Sequence, residues 1–110
     1  EQLVHIANAS HLMSQMLLKG EKVAFSEPDA SQMTKEEIIV QLEEKLSATA
    51  EIIASLTEDE LKEKIKTFDG NEIPRQQVII FIHDHLTNHR AKANLYVRMN
   101  DITPPKYKYY

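Results

Sequence analysis

Residues 74–99 read PRQQVIIFIHDHLTNHRAKANLYVRM. One row of side chains recurs in this stretch at alternating intervals of four and three residues, namely Val78, Ile82, His85, His89, Lys92, Tyr96 and Met99. Such intervals place side chains on one face of an α-helix. Pro74 suits the first position of that helix, and Asn100-Asp101 suits its end. The sequence therefore predicts a long helix over about 74–99 with one face directed inward.

The rest of the chain also has helical rhythm. Within residues 1–19, apolar residues recur at intervals of three and four, which predicts a helix that ends at Lys19-Gly20. Residues 20–33 are rich in helix breakers, which predicts a loop. Thr34 with Glu37 forms a capping-box pattern that opens a second long helix through about residue 56. The same pattern at Thr57 and Glu60 predicts a short turn of helix over 58–64, and Asp69-Gly70 predicts a tight hairpin turn.

Composition limits the possible classes of protein. The chain has 110 residues, which predicts one all-α domain over 1–110, and it contains no cysteine for a disulfide or a thiolate site. Acidic residues outnumber basic ones by 17 to 13, which argues against nucleic-acid binding. No apolar run is long enough to span a membrane and no signal peptide is visible, so we expect a cytoplasmic location.

Histidines carry the strongest chemical signal. His85 and His89 lie four residues apart, one helical turn from each other, so both imidazoles can reach one metal ion. His5 lies on another predicted helix and could supply a third nitrogen ligand. An alternative stays open, because an inward histidine is more often a hydrogen-bonded core residue and five histidines readily give such a spacing by chance. His11 and His83 fall on other faces and are expected at the surface.

Well-known catalytic motifs are absent from the sequence. A zinc-protease helix needs Glu directly after its first histidine, whereas Leu86 follows His85 here. Neither a Gly-rich phosphate loop nor a serine elbow is present. Asp84 is the nearest carboxylate along the chain and could support the ligands through a hydrogen bond, but its position beside His85 favours an orientation towards solvent, so no catalytic residue is assigned.

The segment HLTNHRAKANLYVR (85–98), followed by ITPPKY (102–107), resembles the C-terminal signature of the DinB-like family. That signature has a His, then a His-His-Arg-Gly-Gln cluster, then Tyr-Leu-Arg and a Pro-Pro-x-Tyr tail. LVHIA (3–7) resembles the family's first ligand segment. This chain departs from the pattern at Asn88, Ala91 and Lys92, which replace a His, the Gly and the Gln. The charge of Lys92 would repel a dication and puts metal occupancy in question.

The resemblance implies an up-and-down four-helix bundle that holds one divalent metal through His5, His85 and His89. We expect zinc or nickel, with iron as an alternative. Family members begin with a helix that has no counterpart here, and the chain opens in helical rhythm without Met, so it is expected to be N-terminally incomplete. The family commonly pairs, which predicts a homodimer, and some members use a low-molecular-weight thiol.

Two functions follow from these observations. The first is a metal-binding protein that acts as a metal-dependent thiol S-transferase or hydrolase on a small-molecule substrate. The alternative is a non-catalytic interaction or scaffold domain with a degenerate metal site, which Lys92 favours.

Overall fold

A computed structural model describes residues 1–106, which are mostly helical. Tyr107–Tyr110, which include the tyrosine of the ITPPKY segment, lie outside the described residues. The elements, in chain order, are α1 (Gln2–Met13), a π-helical turn (Ser14–Leu18), a 3-10 turn (Ala30–Gln32), α2 (Lys35–Ala54), α3 (Glu58–Lys62), β1 (Lys64–Lys66), β2 (Glu72–Pro74) and α4 (Arg75–Met99). The predicted helical class is confirmed.

Local sequence signals determine where α2, α3 and the hairpin begin and end. In both predicted capping boxes, the threonine hydroxyl accepts a hydrogen bond from the glutamate amide and the glutamate carboxylate accepts one from the threonine amide. These contacts satisfy amides that have no partner inside the helix. The predicted turn joins two short antiparallel strands, with Ile65 opposite Ile73. Gly70 occupies the left-handed region at φ +86°, which explains glycine at that position.

Helix α1 lies between the other two long helices and packs against both. Its buried face is built from small and branched side chains, including Val4, Ala7, Ser10 and Ser14, each at most 1% exposed. Small side chains allow neighbouring helices to approach α1 closely. The main apolar core lies towards the end of α1 and consists of Ala9, Met13, Leu17, Leu18, Val78 and Ile82.

The loop over residues 19–34 runs back along the whole length of α1. Phe25 lies beside Leu12, Asn8 donates to the Ser26 carbonyl, and Glu27 reaches His5 near the start of the helix. The chain thus returns to the amino end of α1 before α2 begins, and α2 runs in the same direction as α1. The up-and-down order expected from the sequence does not hold for this pair of helices.

Helix α4 runs antiparallel to α1 and extends past it. Gln2 contacts His89, and Leu17 packs with Val78 in the core, so about one third of α4 lies beyond the amino end of α1. The predicted inward stripe is therefore correct for Val78 and Ile82 and wrong at its far end. Tyr96 is 51% exposed because no α1 residue lies opposite it.

Within residues 1–106, no helix combines the length and the apolar character that crossing a bilayer requires.

The core position of Leu18 gives a first test of the fold. Leu18 is 1% exposed, so Leu18→Ala should lower the free energy of unfolding by about 2–5 kcal/mol through lost burial and a residual cavity. Urea denaturation followed by circular dichroism measures this change. Leu3→Ala is the matched control, because Leu3 is 44% exposed and should lose less than half as much. Equal losses in both variants would contradict the described core.

Candidate metal centre

Three imidazoles converge where the first turns of α1 meet the middle of α4. His5 comes from α1, and His85 and His89 come from successive turns of α4. Ring centroids are 4.5 Å apart for His5–His89 and for His85–His89, and 5.3 Å apart for His5–His85. One nitrogen from each ring lies within 4.8 Å of the others, so the three histidines are close enough to hold a metal ion. The structure thus brings together the three ligands predicted from the sequence.

Hydrogen bonds orient two of the three rings. Nδ1 of His5 lies 2.9 Å from Glu27 Oε2, and Nδ1 of His89 lies 2.8 Å from Gln2 Oε1. An ionised carboxylate and an amide oxygen can only accept hydrogen bonds, so Nδ1 is the protonated donor in both rings. The Nε2 lone pair of each ring is then available to a metal ion. Carboxylate and carbonyl partners of this kind are typical of metal-ligating histidines.

His85 has a different environment. Its Nδ1 is buried and has no hydrogen-bond partner among residues 1–106. Buried polar atoms are seldom left unpaired, because desolvation without a hydrogen bond costs free energy. A metal ion bound at this nitrogen would offset that cost, and three nitrogen donors within 4.8 Å of one another fit a bound divalent ion.

Electrostatics keeps the α4 imidazoles neutral. Burial, followed by electrostatic interaction with the His5 ring and with the Lys92 ammonium, lowers the pKa of His85 below its ordinary value of 6.5. Burial is also the main cause that lowers the pKa of His89, and the nearby Glu27 carboxylate partly opposes it. Neutral imidazole is the form that donates a lone pair to a metal. Both residues are therefore in their ligand-competent state at neutral pH.

The remaining histidines stay outside the cluster. The side chain of His83 is 76% exposed and its Nδ1 lies 3.8 Å from Asp84, which confirms that both point to solvent. His11 was expected at the surface, but it is half-buried with an enclosed Nδ1. Burial and then the charge of Lys45 lower the pKa of His11, and this site is separate from the three-histidine cluster.

Sequence reasoning missed Glu27 and Gln2. Asp84 was the carboxylate considered for supporting the ligands, but the residue that does so lies 22 positions after His5. Only the return of the 19–34 loop along α1 brings Glu27 to the cluster, and no spacing in the sequence signals that path.

A cavity lies about one helical turn of α4 from the cluster. It has a volume of about 420 Å³, and its apolar walls include Leu17, Phe68, Ile73 and Val78. Phe81 lines this cavity and also contacts His85, with ring centroids 6.3 Å apart. The cluster is thus bordered by an apolar recess on the Phe81 side.

Comparisons of this chain with protein-family models, with curated proteins and with solved structures find no match. The geometry of the site therefore carries the functional argument.

The Glu27–His5 contact predicts a supporting role for Glu27 in metal binding. Glu27→Ala should weaken zinc binding about 10-fold to 100-fold, because the His5 ring loses the acceptor that fixes its orientation. The zinc affinity of Glu27→Gln should lie between those of the wild-type protein and Glu27→Ala, since glutamine keeps an acceptor but not the charge. Competition titration with a zinc chelator measures the affinity.

Asp29→Ala is the control for this measurement. Asp29 lies on the same loop, but its carboxylate accepts bonds from Ser31 and not from a histidine. Equal effects of the Glu27 and Asp29 substitutions would show that the loop as a whole, and not the carboxylate on His5, supports the site.

Proposed function

We propose that this chain binds one divalent metal ion through His5, His85 and His89, with zinc or nickel as the ion. The observation that carries the proposal is the convergence of three nitrogen ligand atoms within 4.8 Å, from two helices, with Nδ1 of two rings already occupied. Three histidine ligands leave room for solvent or substrate, an arrangement typical of catalytic metal sites.

The proposed activity is a metal-dependent thiol S-transferase or hydrolase reaction on a small molecule. A bound divalent ion would supply Lewis acidity to a water molecule or a thiol. The chain's own residues hold the imidazoles neutral and oriented, through burial on α4 and through Glu27 and Gln2. The resemblance to the DinB-like family and its helical bundle supports this proposal together with the three-histidine cluster.

Metal uptake is tested by elemental analysis and thermal unfolding of untagged protein. We expect about one zinc or nickel ion per chain, and at a free metal concentration 100 times Kd the ion should add about 2.7 kcal/mol to the free energy of unfolding. His85→Ala and His89→Ala should abolish both signals. His83→Ala is the control, because His83 lies on the same helix and faces solvent.

A scaffold function without metal is the second candidate. Lys92 favours it, because this residue follows His89 by three positions and brings a positive charge to the ligand face. Under that hypothesis, added zinc leaves the melting temperature of the wild-type protein unchanged, and thiol and hydrolysis substrates are not turned over.

A homodimer remains part of the proposal. Leu95, Met99 and Ile102 are 55%, 70% and 59% exposed, and they form an apolar surface at the end of α4. A second copy could bury this surface. Sedimentation equilibrium should give twice the mass of the chain, and Met99→Asp should shift the equilibrium to monomer. Val40→Asp on α2 is the control, and a monomeric wild-type protein would contradict the dimer.

A further inference from the structure

The charges around the histidine cluster do not balance once an ion is bound. Imidazoles are neutral ligands, and the Glu27 carboxylate, bonded to His5, is the acidic group that acts on the cluster. Lys92 adds a positive charge on the ligand face, seven residues after His85. No hydrogen bond or ion pair holds the Lys92 ammonium within the described part of the chain. A dication with Lys92 therefore outweighs the single carboxylate.

Lys92 and Phe81 determine which class of ligand can bind beside the three histidines. Lys92 provides a positive charge close enough to act on both His85 and His89. On the other side of the α4 histidines, the half-exposed Phe81 ring contacts His85 and continues into the apolar cavity of about 420 Å³. The site therefore has a cationic end at Lys92 and an apolar end at Phe81, and both lie on the helix that carries two ligands.

We propose that the three-histidine centre takes an organic monoanion, whose charged group lies beside Lys92 and whose apolar part lies along Phe81. This inference rests on the proposed metal site and names the class of ligand that the site accepts. A monoanion offsets the excess positive charge, so Lys92, which opposes binding of the bare ion, favours the complex of ion and anion. An alkyl or aryl group of the same molecule removes apolar surface from water at Phe81.

The experiment titrates zinc-loaded protein with acetate, butyrate and hexanoate, and with the neutral amides of the same chain length, by isothermal calorimetry. Affinity should rise about fourfold for each methylene that the recess buries, and each amide should bind at least about tenfold more weakly than its acid. Binding of zinc and binding of hexanoate are coupled, so each should increase the affinity for the other by the same factor.

Lys92→Gln separates a role in charge from a role in folding. It should weaken hexanoate binding about fivefold, and it should strengthen zinc binding in the absence of carboxylate, because a like charge is removed. A substitution that merely disturbs the helix would weaken the binding of hexanoate and the binding of zinc. Lys92→Arg should retain hexanoate binding, and Lys62→Gln, on the exposed surface of α3, should change neither affinity.

Phe81→Ala tests the apolar end of the site. It should remove the gain in affinity from acetate to hexanoate, whereas Phe25→Ala, in a different apolar recess, should keep that gain. Equal binding of acids and amides, or an unchanged Lys92→Gln variant, would overturn the inference while metal uptake stands. Failure of the wild-type protein to bind zinc would overturn the proposed function and this inference with it.

Discussion

The register between α1 and α4 is the constraint on which the site depends. Antiparallel packing sets Gln2 against His89 and Leu17 near Val78, and this register places His5 across from two α4 histidines. A shift of one residue turns a helix face by about 100°, so the three rings would no longer converge. The small side chains of Ala7, Ser10 and Ser14 let α1 pack closely between its neighbours. The convergence of the three histidines is therefore a consequence of core packing several turns away.

The returning loop gives the site its second constraint. A direct up-and-down connection would carry the chain from the end of α1 straight into α2, so the 19–34 segment would not return to His5. The 19–34 segment instead runs the length of α1, where Asn8 donates to the Ser26 carbonyl and accepts a bond from Lys45 of α2. The first bond ties the loop to α1 beside Glu27, and the second ties α1 to α2 at Asn8. A loop fixed in this way can position a carboxylate, although it has little regular structure of its own.

Sequence reasoning predicted the elements whose signals are local. The capping boxes at Thr34 and Thr57 and the Asp69-Gly70 turn are recognisable within four residues, so their helices and hairpin could be placed closely. The cluster was also predictable in part, because the interval between His85 and His89 reports a shared helix face. Glu27 and Gln2 could not be found, since their contacts span 22 and 87 residues. Helical periodicity likewise cannot show how far a partner helix extends, which is why Tyr96 was wrongly expected to face inward.

His85 and His89 are half-buried, whereas Lys92 is exposed. This difference in burial places two neutral imidazoles and a solvated ammonium along one face of α4. Half-burial of His85 and His89 disfavours their protonated forms, so the imidazoles are prepared as neutral ligands. Lys92 lies one turn further along the same face but beyond the amino end of α1, where it remains exposed and keeps its charge in water. An ammonium in that position raises the cost of a bare dication and lowers the cost of an anion beside it. The end of α1 thus divides α4 into a longer part that carries the two neutral histidines and a shorter, solvated part that carries Lys92, and the three-histidine cluster lies at the boundary between them.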